Sequence, residues 1–332
     1  MHRIERKVMV TVRSRLLVAL ASLLLPFAAA AQSDYPNRTI AMVVPFPPGG
    51  VADITGRPLA EAMGRILKVP VVVENRAGAG GGVGMQYVTH AKPDGYTVLL
   101  ALSSISIIPE ADKVLGRDPM YQLKQLVPIA RLTADPTVLA VRAGSPYHSV
   151  ADLIAAAKQK PGGIPYGSSG NYGTMHVPME MLAHSADVKM LHVPFTGAGP
   201  AIVALLGGQV DAISTGPSTI MSHYKAGKVR VLATWGDKRL ASLPDVPTLK
   251  ELGYDAQFSQ WTGLFVPAGT PPDVIARLRA AARQAAADPT FQAALAKVET
   301  PVQYLDQPQF REFWDTDAHR LADVVHRIGK VE

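Results

Sequence analysis

The chain has 332 residues, 48% of them hydrophobic, and no cysteine, which excludes disulfides, thiol catalysis and a lipid anchor on cysteine. Lys plus Arg number 33 and Asp plus Glu 27, but residues 1–31 hold five of those bases and one acid, leaving 28 against 26. A nearly neutral body without a dense basic stripe excludes nucleic acid as a partner and suits a small anion.

In chain order, Arg3, Arg6, Lys7, Arg13 and Arg15 precede an apolar run over 16–27 and the small residues 28–31. This is the layout of a secretory signal peptide, with cleavage expected after Ala31. The run is shorter than the roughly 20 residues a bilayer span needs, and no later stretch reaches that length. The remaining 300 or so residues exceed what one core usually holds, so two domains are expected.

Short β-branched runs then alternate with helical patterns. Strands are expected at 40–46, 69–74 and 97–102, with helices at 53–66 and 82–90. The middle repeats the theme: strands at 139–142, 164–167, 190–195, 210–214 and 229–234, with helices at 149–160, 174–184, 199–206 and 218–226. The tail holds a strand at 262–266 and a helix at 271–288 that begins with proline. Phe310, Trp314, Leu321, Val325 and Ile328 recur at helical spacing and read as a docking stripe. The alternation predicts an α/β fold with mostly parallel sheets flanked by helices. Crossovers are expected near 103–111 and 233–238. They divide the chain into domain 1, residues 32–105 plus 235–332, and domain 2, residues 106–234. A cleft between two such domains suits a small ligand.

Three loops could carry chemistry. VVPFPPGGVAD, residues 43–53, leaves a strand through two prolines and two glycines and enters a helix. Helix starts attract anions through free N–H groups, and glycine lets backbone approach a ligand. Pro47 and Pro48 stiffen the approach, and Asp53 suits the helix N-cap. A rigid half-cradle for an anion and a plain tight turn are both open on these residues. ENRAGAGGGVG, residues 74–84, lacks the dinucleotide-binding spacing, because Val83 occupies the third required glycine position; a structural turn is the better reading. YGSSGNYGTMH, residues 166–176, offers Ser168, Ser169, Asn171 and Thr174 beside backbone N–H groups. Ser168 or Ser169 with His176 would form the core of a hydrolase if the two were hydrogen-bonded and an acid stood behind. No G-x-S-x-G elbow supports that. His184 and His192 lack metal-ligand spacing, and no metal or cofactor is expected.

Taken together, these stretches resemble the substrate-binding receptors of tripartite tricarboxylate transporters, also called Bug receptors. The likeness is carried by YPNRTIAMVVPFPPGGVADITGRPLAE, VPVVVENRAGAGGGVG, AKPDGYTVLLALSS, LHVPFTGAGPAIVALLGGQVDA, KVRVLATWGDKRLASLPDVPTLKELG and WTGLFVPAGTPPDVI. The resemblance implies a two-domain periplasmic-binding-protein-like "Venus flytrap" in the periplasm. It implies a monomeric receptor, not an enzyme, that captures a small organic carboxylate for a membrane permease; a sensory role with the same ligand is the alternative. Carried over by position, the ligand loops map to Phe46, Pro47, Pro48, Gly49, Gly50 and Asp53, and to Ser168, Ser169, Gly170, Asn171 and His176. Ser103 and Ser104 stand where the family often lines its cleft. Tyr172 and Gly173 depart from the family pattern, and Tyr172 could narrow the pocket or stack on a ring. Ser214, Thr215 and Gly216 replace an apolar-Asp-Asn turn, which disfavours an amino-acid ligand. Trp261 either lines the cleft or belongs to the core.

Overall fold

The computed structural model describes residues 35–331, and the signal-peptide reading of residues 1–31 lies outside them. The largely buried run Ile40–Val44 forms β1, which pairs in parallel with β2 (Val71–Asn75) and β3 (Thr97–Leu102). Helices α1 (Val51–Leu67) and α2 (Gly82–Thr89) connect them. This opening βαβ arrangement is the one the alternation predicts.

The chain then departs from the expected plan. The predicted crossover after 102 is the start of α3 (Ser104–Val114). The next strand, β4 (Leu126–Pro136), returns to the same sheet. It pairs antiparallel with β10 (Ser259–Pro267), which itself pairs antiparallel with β3, and the short β11 (Leu305–Asp306) closes that side. The larger sheet has the order β11-β4-β10-β3-β1-β2. The alternation missed β4 because Pro128, Arg131, Asp135 and Pro136 interrupt its apolar pattern.

The smaller sheet has the order β7-β6-β8-β5-β9. It comprises β5 (Val138–Arg142), β6 (Pro165–Ser168), β7 (Leu191–Pro194), β8 (Ala212–Thr215) and β9 (Val229–Thr234). Helices α4 (Val150–Gln159), α5 (His176–Ser185), α6 (Ala198–Leu206) and α7 (Pro217–Lys225) connect its strands. Strand β6 pairs in parallel with β7 and β8, whereas β5 is antiparallel to β8 and β9. Both sheets are therefore mixed, with more antiparallel pairing than the alternation suggests. The strands that return from one sheet to the other enter against the direction of their neighbours.

Sheet membership changes between β4 and β5, at Thr137, and again between β9 and β10. After β9, Trp235 donates from Nε1 to the Pro178 carbonyl at 3.0 Å, and Leu243 and Val246 join the smaller sheet's core. The tail returns to the larger sheet. Helices α8 (Pro272–Ala287) and α9 (Pro289–Lys297) pack on α1, and α10 (Gln307–Ile328) packs on α3 and β4. The predicted stripe on α10 is docked: Phe310, Trp314, Leu321 and Val325 are buried. No helix among the described residues is long and apolar enough to cross a membrane.

Candidate functional site

Parallel strands of the two sheets end toward each other, and the helices that follow begin there. The N-termini of α1, α5, α6 and α7 converge on one cavity of about 10 Å³, room for about one water. From the larger sheet it is lined by Phe46, Gly50, Val51, Leu102 and Gln260. From the smaller sheet it is lined by Ser169, Thr174, Met175, Ala198 and Thr215. None of these ten side chains is ionisable. The available positive potential comes from helix starts, each equivalent to about half an elementary charge, with free N–H groups.

The first loop is held rigidly. Gly50, not Asp53, is the N-cap of α1; Asp53 lies three residues into the structure that follows. Its carboxylate accepts from the Gly49 amide at 3.0 Å, from Arg57 Nε and Nη2 at 2.9 and 2.8 Å, and from Asn75 Nδ2 at 3.0 Å. Burial alone would raise its pKa, but Arg57, the Gly49 amide and Asn75 overcome that and hold it below the usual range. Asn75 Nδ2 also donates to the Phe46 carbonyl at 2.9 Å. Gly49 has φ +81°, a conformation glycine adopts without strain. Asp53 thus shapes the loop and has no capacity left for a ligand. Pro47 reaches across to the other sheet: a Cβ built on Gly197 would lie 2.5 Å from Pro47 Cδ. Pro48 sits beside it, its carbonyl facing Gly199.

The second loop splits by strand alternation. Ser169 faces the cavity and its Oγ, buried, has no hydrogen-bond partner among the described residues. Ser168 points the other way, with Oγ 2.6 Å from His192 Nε2 and accepting from the Gly170 amide at 3.1 Å. His176 is fully buried behind the loop and accepts at Nδ1 from the Tyr172 amide at 2.9 Å. Its ring stacks on His192 at 4.0 Å, and Tyr166, which donates to Glu180, stacks on His192 as well. Burial, reinforced by His192, pushes His176 well below the usual imidazole range, and burial takes His192 to about 4. The Ser–His176 hydrogen bond a hydrolase would need is not made. Ser168 Oγ and His176 Nδ1 are engaged in holding the loop, whereas Ser169 Oγ and His176 Nε2 have no partner among the described residues.

Of the other expected residues, only Thr215 lines the cavity. Ser103 and Ser104 follow Leu102 directly, and their hydroxyls are buried without partners, as is that of Ser214. Thr215 lines the cavity and its hydroxyl is 2.7 Å from Thr219 Oγ1. Asn171 is exposed, and its carbonyl abuts Gly80 of the second Gly-rich stretch, so residues 74–84 act as a contact between loops. Tyr172 does not narrow the cavity. Its hydroxyl donates to the Gly329 carbonyl at 2.8 Å and accepts from the Val331 amide at 3.2 Å. Trp261 faces away, donating from Nε1 to Asp317 at 2.7 Å and packing edge-on against Phe310. Its neighbour Gln260 turns to the cavity instead. Sequence reasoning missed Gln260, Val51, Leu102, Met175 and Ala198. Ala198 had a legible signal, since FTGAGP is a further Gly-rich strand-to-helix entry.

Two α/β lobes with a shared cavity at their facing strand ends and helix starts define the periplasmic-binding-protein class. The solved structure of periplasmic binding protein BugD has a TM-score of 0.84 and 31% identity, covering 89% of this chain and 99% of that one. MatC from Rhodopseudomonas palustris with bound malate has a TM-score of 0.81 and 29% identity, covering 88% and 100%. An R. palustris protein with adipate has a TM-score of 0.83 and 26% identity, covering 89% and 99%. The model of the tripartite tricarboxylate transporter family receptor matches residues 55–330, and the chain belongs to that family.

Proposed function

We propose that this chain is an extracytoplasmic receptor whose two lobes close over a small organic carboxylate and present it to a membrane permease of the tripartite tricarboxylate type. The observation that carries this reading is the cavity itself: four helix starts meet there with the unpartnered Ser169 hydroxyl from the smaller sheet and the unpartnered Gln260 amide oxygen from the larger, and no lining side chain is charged. Such a site holds an anion by backbone N–H groups and hydroxyls. The malate and adipate in the two related structures support the same ligand class. In this reading Phe46, Gly49, Gly50, Ser103, Ser104, Ser169 and Thr215 form the ligand surface together with Val51, Thr174, Ala198 and Gln260. Asp53, Ser168, Tyr172 and His176 hold the loops in shape. Residues 1–31 serve as the export leader, and the mature receptor works as a monomer in the periplasm. The cavity is too narrow to admit a dicarboxylate as it stands, so capture requires the lobes to part at the strand crossings near Thr137 and Phe258.

A thermal-shift and calorimetric screen against C4 to C6 dicarboxylates tests the reading. A ligand at 100 times its Kd should stabilise the fold by about 2.7 kcal/mol and raise Tm by several degrees. A panel of dicarboxylates, tricarboxylates and aromatic acids that leaves Tm and heat unchanged overturns it.

A further inference from the structure

A second pocket, of about 640 Å³, opens beside the place where the chain crosses between the sheets. It shares no lining residue with the interlobe cavity. Its walls come from both lobes. Arg131, Asp135 and Pro136 of β4, Pro301 beyond α9 and Phe313 of α10 form the larger-lobe side. The smaller-lobe side is the segment after β9, anchored by Leu240, which packs on the smaller sheet's core. The volume falls in the range of small-molecule sites, roughly 300–1,000 Å³.

Two opposite charges in this pocket are unanswered. Asp135 is 6% exposed, yet its carboxylate makes no hydrogen bond or ion pair among the described residues. Burial raises its pKa, and the Arg131 charge only partly opposes that rise. Arg131 is half-buried, lies 4.5 Å over the Phe313 ring, and donates from Nε to the Gln303 carbonyl at 3.3 Å. Its two Nη groups have no partner among the described residues. The other charges around the pocket leave this balance unchanged. Arg239 pairs with Glu251 and Glu299 with Lys225, while Asp237 and Lys238 are exposed and of opposite sign.

A buried carboxylate without donors is costly, and a guanidinium presents a fork that matches a carboxylate. A simple anion would meet Arg131 but be repelled by Asp135. A simple cation would meet Asp135 but be repelled by Arg131. One molecule carrying both an ammonium and a carboxylate satisfies both groups, and Phe313, Pro136 and Pro301 give its carbon skeleton an apolar wall.

We propose that this pocket is a second ligand site, specific for a zwitterionic amino acid, in which Asp135 accepts from the ammonium and Arg131 donates to the carboxylate. It lies outside the cleft that the carboxylate reading concerns.

Calorimetry on the full mature chain tests this with glycine, leucine, phenylalanine, 4-aminobutyrate and 6-aminohexanoate, which vary the apolar bulk and the spacing of the two charges. At least one should bind, and its N-acetyl and amide derivatives, each lacking one charge, should bind about tenfold or more weakly. Asp135→Asn and Arg131→Gln should each weaken the zwitterion about tenfold or more. Arg131→Lys keeps the charge without the fork and should bind with intermediate affinity. Circular dichroism and ligand-free Tm verify that the variants fold. The proposal is overturned if no zwitterion of the panel binds the wild type, or if a single-charge derivative binds as tightly as its parent. Affinity unchanged in either Asp135→Asn or Arg131→Gln overturns it as well, because the zwitterion would then sit elsewhere. Plain carboxylates, which lack the ammonium, test the cleft, so the two readings fail independently.

Discussion

Asp53 illustrates how one buried carboxylate can fix the shape of a loop. Its carboxylate accepts from four N–H groups on three residues, one of them the Gly49 amide at the tip of the loop. Asp53→Ala would strand those donors and release the loop. The expected cost is about 1–3 kcal/mol of stability, measured by urea denaturation, together with weaker carboxylate binding by calorimetry. A variant with unchanged stability and affinity would remove Asp53 from the loop's support. The residue type was legible in the sequence, but its role was not. An Asp near a helix start reads as an N-cap, and only the approach of Arg57 and Asn75 makes it a brace. The same limit applies to Ser168 and Ser169. They are adjacent and chemically identical, yet strand alternation sends one to His192 and the other to the cavity.

At the scale of elements, the loop after β6 is fastened at two ends. Behind it, His176 accepts the Tyr172 amide; beyond it, the Tyr172 hydroxyl ties to Gly329 and Val331 past the end of α10. Because α10 packs on α3 and β4, this tie joins a loop of the smaller sheet to the larger lobe. Tyr172→Phe removes the hydroxyl and keeps the ring, which stays edge-on to His176. The expected result is a loss of about 1 kcal/mol in stability and a larger radius of gyration for the ligand-free protein in X-ray scattering. An unchanged radius would show that the tie does not bias the lobes. The positions of most strands and helices were readable from periodicity, including α8 with its initial proline. The partners of each strand were not. Strand β4 escaped notice because a long strand crossing between sheets carries prolines and charges at places that periodicity reads as loop.

At the scale of the whole molecule, the chain crosses from the larger sheet to the smaller at Thr137, and Asp135 sits just before that crossing. Burial pushes its pKa up to about 7, with the Arg131 charge opposing the rise. The usual value is 3.8, so between about pH 4 and 7 the native chain retains a proton that the unfolded chain has released. The stability contributed by the neutral carboxyl is present at low pH and is lost as pH rises to 7. Asp135→Asn removes that slope. Urea denaturation should find the variant stabilised relative to wild type by on the order of 2–3 kcal/mol more at pH 8 than at pH 5. An identical pH dependence in both proteins would mean that Asp135 ionises as freely when folded as when unfolded.

Local patterns sufficed to determine that this chain is an α/β protein with Gly-rich strand-to-helix loops. They sufficed because strand period, helix period and loop chemistry are properties of neighbouring residues. The antiparallel returns of β4 and β10, the pairing of Ala198 with Gly50 across the cavity, and the exchange of Trp261 for Gln260 as the inward residue were decided by tertiary structure alone. Those depend on which face of a strand meets which lobe, and that is set by long-range packing that no sequence window contains.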